Sequence, residues 1–385
     1  MRIALISPYD WCVPGGVNNH VSHLSHYFRK WGHDVTIFAP ASDPESVAGE
    51  CHVFGRVTPL RVSGSVARIS FSWKSPEAKR LLAEQDFDVM HAHEPLMPLV
   101  SYHLFRYSNA VKIGTFHAAK EGGNRFYRMT MFFSRMNWKK LDGKIAVSPA
   151  AQRLIDRYYP STFQIIPNGI EYEHFSRERE PLPEFADGKR NILFVGRPEK
   201  RKGLRFLLRA YLRVRGQEPN TRLIVVGAGD FSRYSRIMSA FDDVVFRENV
   251  PYDELPRYHK SAAVFCCPNT GNESQGYVLL EAMAAGLPVV ASNIEGFAGV
   301  VTEGIDGILT RPKDVDSIAE ALLRVIRDPA LGQSLGERGR HTAERYSWDS
   351  VARHVLSYYE RVIYERTTRD HHQRRRRLHE PQGEE

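Results

Sequence analysis

The sequence predicts two doubly wound α/β domains in tandem, each a parallel sheet covered by helices on both faces. Three observations predict this. Short β-branched runs alternate with amphipathic segments along the chain. The alternation breaks once, after Ile170, and then restarts. The length of 385 residues exceeds what one hydrophobic core ordinarily organises.

The elements follow in order. "RIALISP", "HDVTIFAP", "FDVMHAHEP", "VKIGTFH", "GKIAVSP" and "FQIIPNGI" read as buried strands. Their near-continuous apolar character suits a sheet buried on both sides. "HVSHLSHYFRKWG" and "PAAQRLIDRYY" read as helices between them. This gives a first domain at 1–170. The polar, proline-bearing stretch "EYEHFSREREPLPEFADGKR" is a linker at 171–190. "NILFVGR", "RLIVVGAG", "VVFRENV", "AAVFCCPN", "PVVAS" and "DGILTRP" restart the pattern, giving a second domain at 191–345. "SWDSVARHVLSYYERVIYER" is one long amphipathic helix, placed at 346–366 and expected to cross back onto the first domain. The remainder, 367–385, is basic and nearly free of apolar residues, and is expected to be disordered. Ligands of such sheets sit beyond the carboxyl ends of the strands, here in a cleft between the domains.

Composition narrows the chemistry. A formal charge of +8 favours an anionic partner: a phosphate ligand, a lipid surface or a nucleic acid. Four cysteines, two of them adjacent at Cys266 and Cys267, build no disulfide framework and suit a reducing compartment. "MRIALISPY" reads as a strand, not as a signal peptide, and no apolar run is long enough to span a membrane.

The stretch "NESQGYVLLEAMAAGLPVVAS" carries Glu273 and Glu281 around a helix start. Ser274 is expected to cap that helix, and Gly286 with Pro288 to end it. Amides of Gln275 and Gly276 at the helix mouth, aided by the helix dipole, suit a phosphate. A lone pair of such glutamates would be one capping acid and one solvated acid, but three companions accompany them. "GRPEKRKG" places Arg197, Arg201 and Lys202 at the end of a strand, where cations would neutralise a departing diphosphate. "VPGGVNNH" places Gly15 and Gly16 at a strand-to-helix turn that a ligand's backbone contacts require to be bare. "GTFH" ends a strand at His117. Their bland readings are a solvated basic loop, an ordinary turn and a structural histidine.

Together these residues resemble the retaining GT-B glycosyltransferases of group 1, family 4, over nearly the whole chain. Within that family "PYDWCVPGGV", "GSVAR", "FDVMHAHEP", "TFH" and "IPNGI" look most similar to phosphatidylinositol mannosyltransferases. The resemblance implies that Arg197 and Lys202 hold the donor diphosphate as leaving group, with Arg201 beside them. It implies that Glu273 contacts hydroxyls of the transferred sugar, Glu281 the ribose, Gly15 and Gly16 a phosphate, and His117 the sugar near the reacting carbon. Ser274, Gln275, Gly276 and Tyr277 complete the donor set. Tyr9, Asp10, Asn18 and Arg68 are implied on the acceptor side. Retention would come from front-face attack, without a protein nucleophile of the glycosidase kind.

No cofactor and no metal are expected. Asp86-Phe87-Asp88 has a D-x-D form but lies at the amino end of a strand, the wrong edge for the donor. His91 and His93 share a strand face without an evident third ligand. Two segments, "LRVSGSVARISFSWKSPEAKR" and "NRFYRMTMFFSRMNWKK", mix basic and aromatic residues as an anionic lipid interface does, although the second also suits a core helix with a basic outer face. Arg374 to Arg377 would add attraction, or form a soluble tail. Cys12 departs from what an inositol ring needs in the acceptor loop, because a thiol makes only weak hydrogen bonds.

The leading expectation is a cytoplasmic mannosyltransferase, peripheral at the inner face of the plasma membrane, using GDP-mannose and a lipid or polyol-phosphate acceptor. A UDP-sugar transferase and a nucleotide-sugar 2-epimerase stay open as alternatives. Nucleic-acid binding has only the basic surface in its favour, without a recognisable module.

Overall fold

The computed structural model describes the chain except at 55–56, 63–64, 71–78, 81, 83, 98–99, 119–124, 235–239, 272 and 380–385. At 58–62, 65–70, 100, 102, 125–126, 129–133, 370 and 373–379 it describes the backbone alone. The chain forms two compact units. The first comprises Met1–Val147, Ala151–Pro167 and Val351–Glu385; the second comprises Ser148–Ala150 and Asn168–Ser350.

The first unit is built on seven parallel strands: β1 Arg2–Ile6, β2 Asp34–Ala39, β3 His52–Val53, β6 Val89–His93, β7 Val111–Phe116, β8 Gly143–Ala146 and β9 Gln164–Ile165. Their order is β3-β2-β1-β6-β7-β8-β9. An antiparallel hairpin, β4 Val57–Val62 and β5 Ser65–Ser70, stands apart from that sheet. Helix Gly16–Lys30 leaves the end of β1 and buries Val21, Leu24 and Phe28, at helical spacing.

The second unit has six parallel strands: β10 Arg190–Val195, β11 Thr221–Gly227, β12 Val244–Glu248, β13 Val264–Cys267, β14 Val289–Ser292 and β15 Ile308–Thr310. Their order is β12-β11-β10-β13-β14-β15. The period-two alternation of these strands divides the core in two. Leu193, Val195, Ile224, Val226, Phe265 and Cys267 join one cluster, while Ile192, Phe194, Leu223, Val225, Val264 and Cys266 join the other. The adjacent cysteines thus face opposite sides of the sheet, and both are free thiols.

Two boundaries differ from the sequence reading. The stretch 171–190 is part of the second unit. It holds a short helix, Tyr172–Ser176, and a single turn, Pro183–Phe185, anchored by buried Phe175 and Phe185. Two aromatic anchors among charged neighbours were enough to dock a segment whose composition is that of a linker.

The last helix runs from Trp348 to His379, past the point where disorder was expected. Arginine is a good helix former, and the first proline beyond that point is Pro381. From Val351 this helix belongs to the first unit. Val351, Val355, Tyr359 and Val362 are buried on one face. Tyr358 accepts the amide of Lys144 at 2.8 Å, and Arg366 donates to the Ala110 carbonyl at 2.8 Å. Among the described residues, no helix is long and apolar enough to cross a membrane.

Candidate active site

In the second unit, β10 ends at Val195 and the chain turns at once into Gly196–Gly203. The turn is shaped by Gly203, with φ +73°, where a side-chain carbon would lie 1.9 Å from the Pro268 carbonyl oxygen. Only glycine fits both the left-handed backbone and that approach. The consequence is that the loop after β10 is pressed against the loop after β13.

Three donors then converge on one carboxylate oxygen, Glu273 Oε1. Lys202 Nζ donates at 2.7 Å, Asn269 Nδ2 at 2.8 Å, and Arg201 through Nη1. Arg201 also donates from Nε to Glu199 Oε2 at 2.7 Å. Glu199 holds Arg197 through its other oxygen, at 2.8 Å. Arg197 remains 64% exposed at its side chain, against 14% for Lys202. Arg197 and Lys202 are thus presented differently: one at the surface, the other half-enclosed. Arg201 is held between two carboxylates and acts as a tether.

The helix that carries Glu281 is Tyr277–Ala284, and its N-cap is Gly276 with φ +81°. A side-chain carbon there would lie 2.4 Å from Phe297, so glycine is required. Ser274 therefore does not cap the helix as expected. Its hydroxyl lies 3.1 Å from that of Ser148. The Gln275 side chain is buried and used internally: it accepts the Asn168 amide at 2.7 Å and donates to the Asn168 carbonyl at 2.9 Å. Both ends of its amide are therefore used within the protein. Gly296 lies under the same loop, and a side chain there would meet the Glu273 carbonyl at 2.2 Å.

Glu281 sits on that helix, half-buried. Burial, then the nearby Glu171, pushes its carboxyl up to about 7. Its charge in turn raises the phenols of Tyr252 and Tyr277, after burial. Tyr252 stacks on His174 with ring centroids 4.8 Å apart.

In the first unit, Gly15 is the N-cap of helix Gly16–Lys30, in an extended conformation. A side-chain carbon at Gly15 or Gly16 would meet nothing within 4 Å. Neither the backbone nor the surrounding protein demands glycine here. Among the described residues, a side chain at either position would have room, and the first amides of a helix have no intrahelical acceptor.

His117 follows β7. Its backbone amide donates to Glu94 Oε1 at 2.7 Å, and the Ala118 amide to the same oxygen at 2.9 Å. Tyr127 donates its phenol to Glu94 Oε2 at 2.7 Å. Glu94 is 3% exposed and has φ +48°, so a strained backbone turn aims a buried carboxylate at the His117 loop. Burial raises the Glu94 carboxyl, while its three hydrogen bonds oppose that rise. Three further histidines surround His117: His20 and His93, with ring centroids 5.0 and 5.2 Å from it, and His91, 4.3 Å from His93.

Two of the residues expected on the acceptor side make hydrogen bonds within the first unit. Asn18 is buried, accepts from the Ser7 hydroxyl at 2.6 Å and donates to the carbonyls of Asp10 and Val13. Asp10 is 1% exposed and accepts the Ser42 amide at 2.8 Å. Both residues organise the loop, as small polar side chains in turns do. Tyr9 is half-buried, its phenol raised by burial and by Glu94. Arg68 lies on β5 opposite Pro59, but its side chain and the "GSVAR" glycine fall outside the described residues. So do Phe71, Trp73 and Lys74 of the first basic-aromatic segment. In the second, helix Arg125–Trp138 buries Tyr127 and exposes Arg128 and Arg135, while Trp138 stacks inward on Tyr159 at 4.8 Å. Asp88 accepts the Arg2 amide at 2.7 Å, at the amino end of β1, as its position in the D-x-D string implied.

Sequence reasoning missed Glu94, Tyr127, Glu199, Asn269 and Glu171. The "HAHEP" run was the one available signal for Glu94, and it was read for a strand, a family likeness and two histidines, not for its glutamate.

Comparison with known proteins decides the family. Residues 189–328 match the family model described as glycosyl transferases group 1, and residues 14–174 match glycosyltransferase family 4. A phosphatidyl-myo-inositol mannosyltransferase of Mycolicibacterium smegmatis is 33% identical over 376 residues, which cover 94% of each chain. The chain is a group 1 glycosyltransferase. A phosphatidyl-myo-inositol mannosyltransferase of Mycobacterium leprae is 35% identical to this glycosyltransferase over 367 residues, covering 94% of this chain and 97% of that one. Among solved structures, Anabaena HepE in complex with UDP aligns with TM-score 0.74 at 17% identity, over 94% of this chain and 100% of that one. Sucrose-phosphate synthase from Thermosynechococcus elongatus aligns at 0.69 and 22% identity, over 94% and 99%. These likenesses show the GT-B fold of the enzyme.

Proposed function

We propose that this glycosyltransferase transfers mannose from GDP-mannose, with retention and without a metal ion, to a phosphatidylinositol-type lipid at an anionic membrane surface on the cytoplasmic side. The observation that carries the proposal is the convergence of Lys202, Arg201 and Asn269 on Glu273, beside Arg197 and the mouth of helix Tyr277–Ala284.

That convergence is a charge exchange in waiting. Lys202 and Arg201 pair with Glu273, and Arg197 and Arg201 with Glu199. A donor diphosphate competes for Lys202 and Arg197, and these two cations stabilise charge as the sugar–phosphate bond breaks. Glu273 keeps Arg201 and Asn269, so its second oxygen can accept from a sugar hydroxyl without the carboxylate moving. The leaving phosphate oxygen takes the acceptor proton on the same face as the attack. Glu281 accepts from the ribose hydroxyls. No divalent ion is needed where two fixed cations meet the diphosphate.

The acceptor reading is supported by the names of the Mycolicibacterium and Mycobacterium relatives. Cys12, the residue in the acceptor loop least suited to an inositol, is engaged elsewhere: its sulfur contacts Asp43 at 3.4 Å and Ser46 at 3.6 Å. The test is transfer of radiolabelled mannose from GDP-mannose to vesicles holding phosphatidylinositol, with UDP-glucose and vesicles lacking phosphatidylinositol as controls, and each reaction repeated in EDTA. Mannolipid formed only from GDP-mannose and phosphatidylinositol, and unchanged by EDTA, supports the reading. Transfer from UDP-glucose alone, or loss in EDTA with rescue by magnesium, overturns it.

A further inference from the structure

The four clustered histidines differ in how tightly their protons are placed. His91 has a hydroxyl at each ring nitrogen: Tyr359 at 2.6 Å from Nδ1 and Thr115 at 2.6 Å from Nε2. A hydroxyl donates or accepts, so His91 is satisfied as either tautomer. His93 is not. It is fully buried, its Nδ1 lies 2.9 Å from His117 Nε2, and its Nε2 is buried with no hydrogen-bond partner among the described residues. Burial, then the adjacent rings of His91, His20 and His117, holds His93 well below the usual histidine range, so it carries one ring proton. On Nε2 that proton would be a buried donor without an acceptor. On Nδ1 it is bonded to His117, and only a lone pair goes unmet. Buried N–H groups without acceptors are the rarer and costlier outcome.

We propose that His93 is a positioning residue that fixes His117 as the Nδ1–H tautomer, with His117 Nε2 accepting from His93. Whatever meets His117 at Nδ1 is then met by a donor. This rests on the reading that His117 faces the transferred sugar. A sugar hydroxyl at that nitrogen accepts from the imidazole and stays free to donate elsewhere. Glu94 complements the device, because it ties the backbone amides of His117 and Ala118 while His93 ties the ring. Main chain and side chain are both fixed before the donor arrives, which is what a transition-state contact requires.

The direct test is long-range ¹H–¹⁵N correlation NMR on full-length protein labelled with ¹⁵N-histidine, with His117 assigned by its absence in His117→Gln. The expected result is a protonated Nδ1 and an unprotonated Nε2 on His117. A proton on Nε2 overturns the proposal. Kinetics with GDP-mannose and phosphatidylinositol vesicles give the second readout. His93→Phe keeps the ring but has no nitrogen, and is expected to lower kcat at least about tenfold with KM for GDP-mannose little changed. His93→Asn returns an N–H near the place of Nδ1 and is expected to restore most of that loss. Equal kcat in the two variants, or a loss confined to KM, overturns the positioning role. If the wild-type enzyme fails to transfer mannose at all, the proposed function fails, and the NMR result still decides the tautomer.

Discussion

Lys202 Nζ and Glu273 Oε1 stand 2.7 Å apart, with only 14% and 13% of their side chains exposed. A half-enclosed ion pair beside a helix mouth is costly to leave unmatched. Here it is matched twice over, because Arg201 and Asn269 share the same oxygen. The arrangement holds Glu273 in place whether or not Lys202 is engaged by a ligand.

Lys202→Ala should therefore remove catalysis more than stability. Glu273 retains two donors, so the folded state should lose only about 1 kcal/mol, while kcat should fall about 10²–10³-fold, as when one preorganised charge partner is removed. Arg197→Ala should act likewise, with no change in melting, because its pairing with Glu199 is largely solvated. Initial rates and thermal melting on the same preparations check both.

The glycines divide into two classes by what surrounds them. Gly203→Ala would drive a side-chain carbon into a carbonyl oxygen from a left-handed backbone. It should destabilise the second unit by about 1–3 kcal/mol or more. Gly16→Ala meets nothing and stands at a helix start, so melting should hold or rise slightly while donor affinity falls. Denaturant unfolding with donor titration separates the two.

Glu281 should make stability and donor binding depend on pH. Its folded pKa, about 7, lies above the ordinary carboxylate value of 4.5. Between those values the folded state binds more protons than the unfolded one, so stability falls as pH rises from 4.5 through 7. Glu281→Gln should remove that fall, worth on the order of 3 kcal/mol, and be the more stable protein at pH 8. Donor KM in the wild type should rise below pH 7, where the carboxylate is protonated, and that rise should vanish in the variant. Unfolding and KM measured from pH 5 to 8 supply the check.

Tyr127→Phe removes one of three donors to a buried carboxylate. Stability should fall by about 1–2 kcal/mol, and activity should fall with it, since the same carboxylate holds the His117 loop. Comparing urea midpoints with kcat tests whether the two move together.

Much of this was readable in the sequence. Strand alternation marked both sheets, because a strand buried on two faces leaves an apolar run that little else produces. That Glu273 and Lys202 would lie together was readable because both follow strands of one parallel sheet at its carboxyl edge. Their partners were not: Glu94 and Tyr127 are thirty-three residues apart, and nothing local marks a carboxylate that serves another segment's amides. The linker was misread because Phe175 and Phe185 are outnumbered by charged neighbours, and docking depends on two side chains, not on average polarity. Ser274 was misread as a cap because the position of Phe297 over Gly276, which sets where the helix starts, lies outside any local pattern.

The most direct test is mannose transfer from GDP-mannose to phosphatidylinositol vesicles by wild type and Lys202→Ala, both assayed well below their melting temperatures. The proposed function predicts mannolipid from the wild type and a rate at least about a hundredfold lower from the variant. Equal rates from the two proteins would contradict the leaving-group role assigned to this lysine, and with it the account of the site.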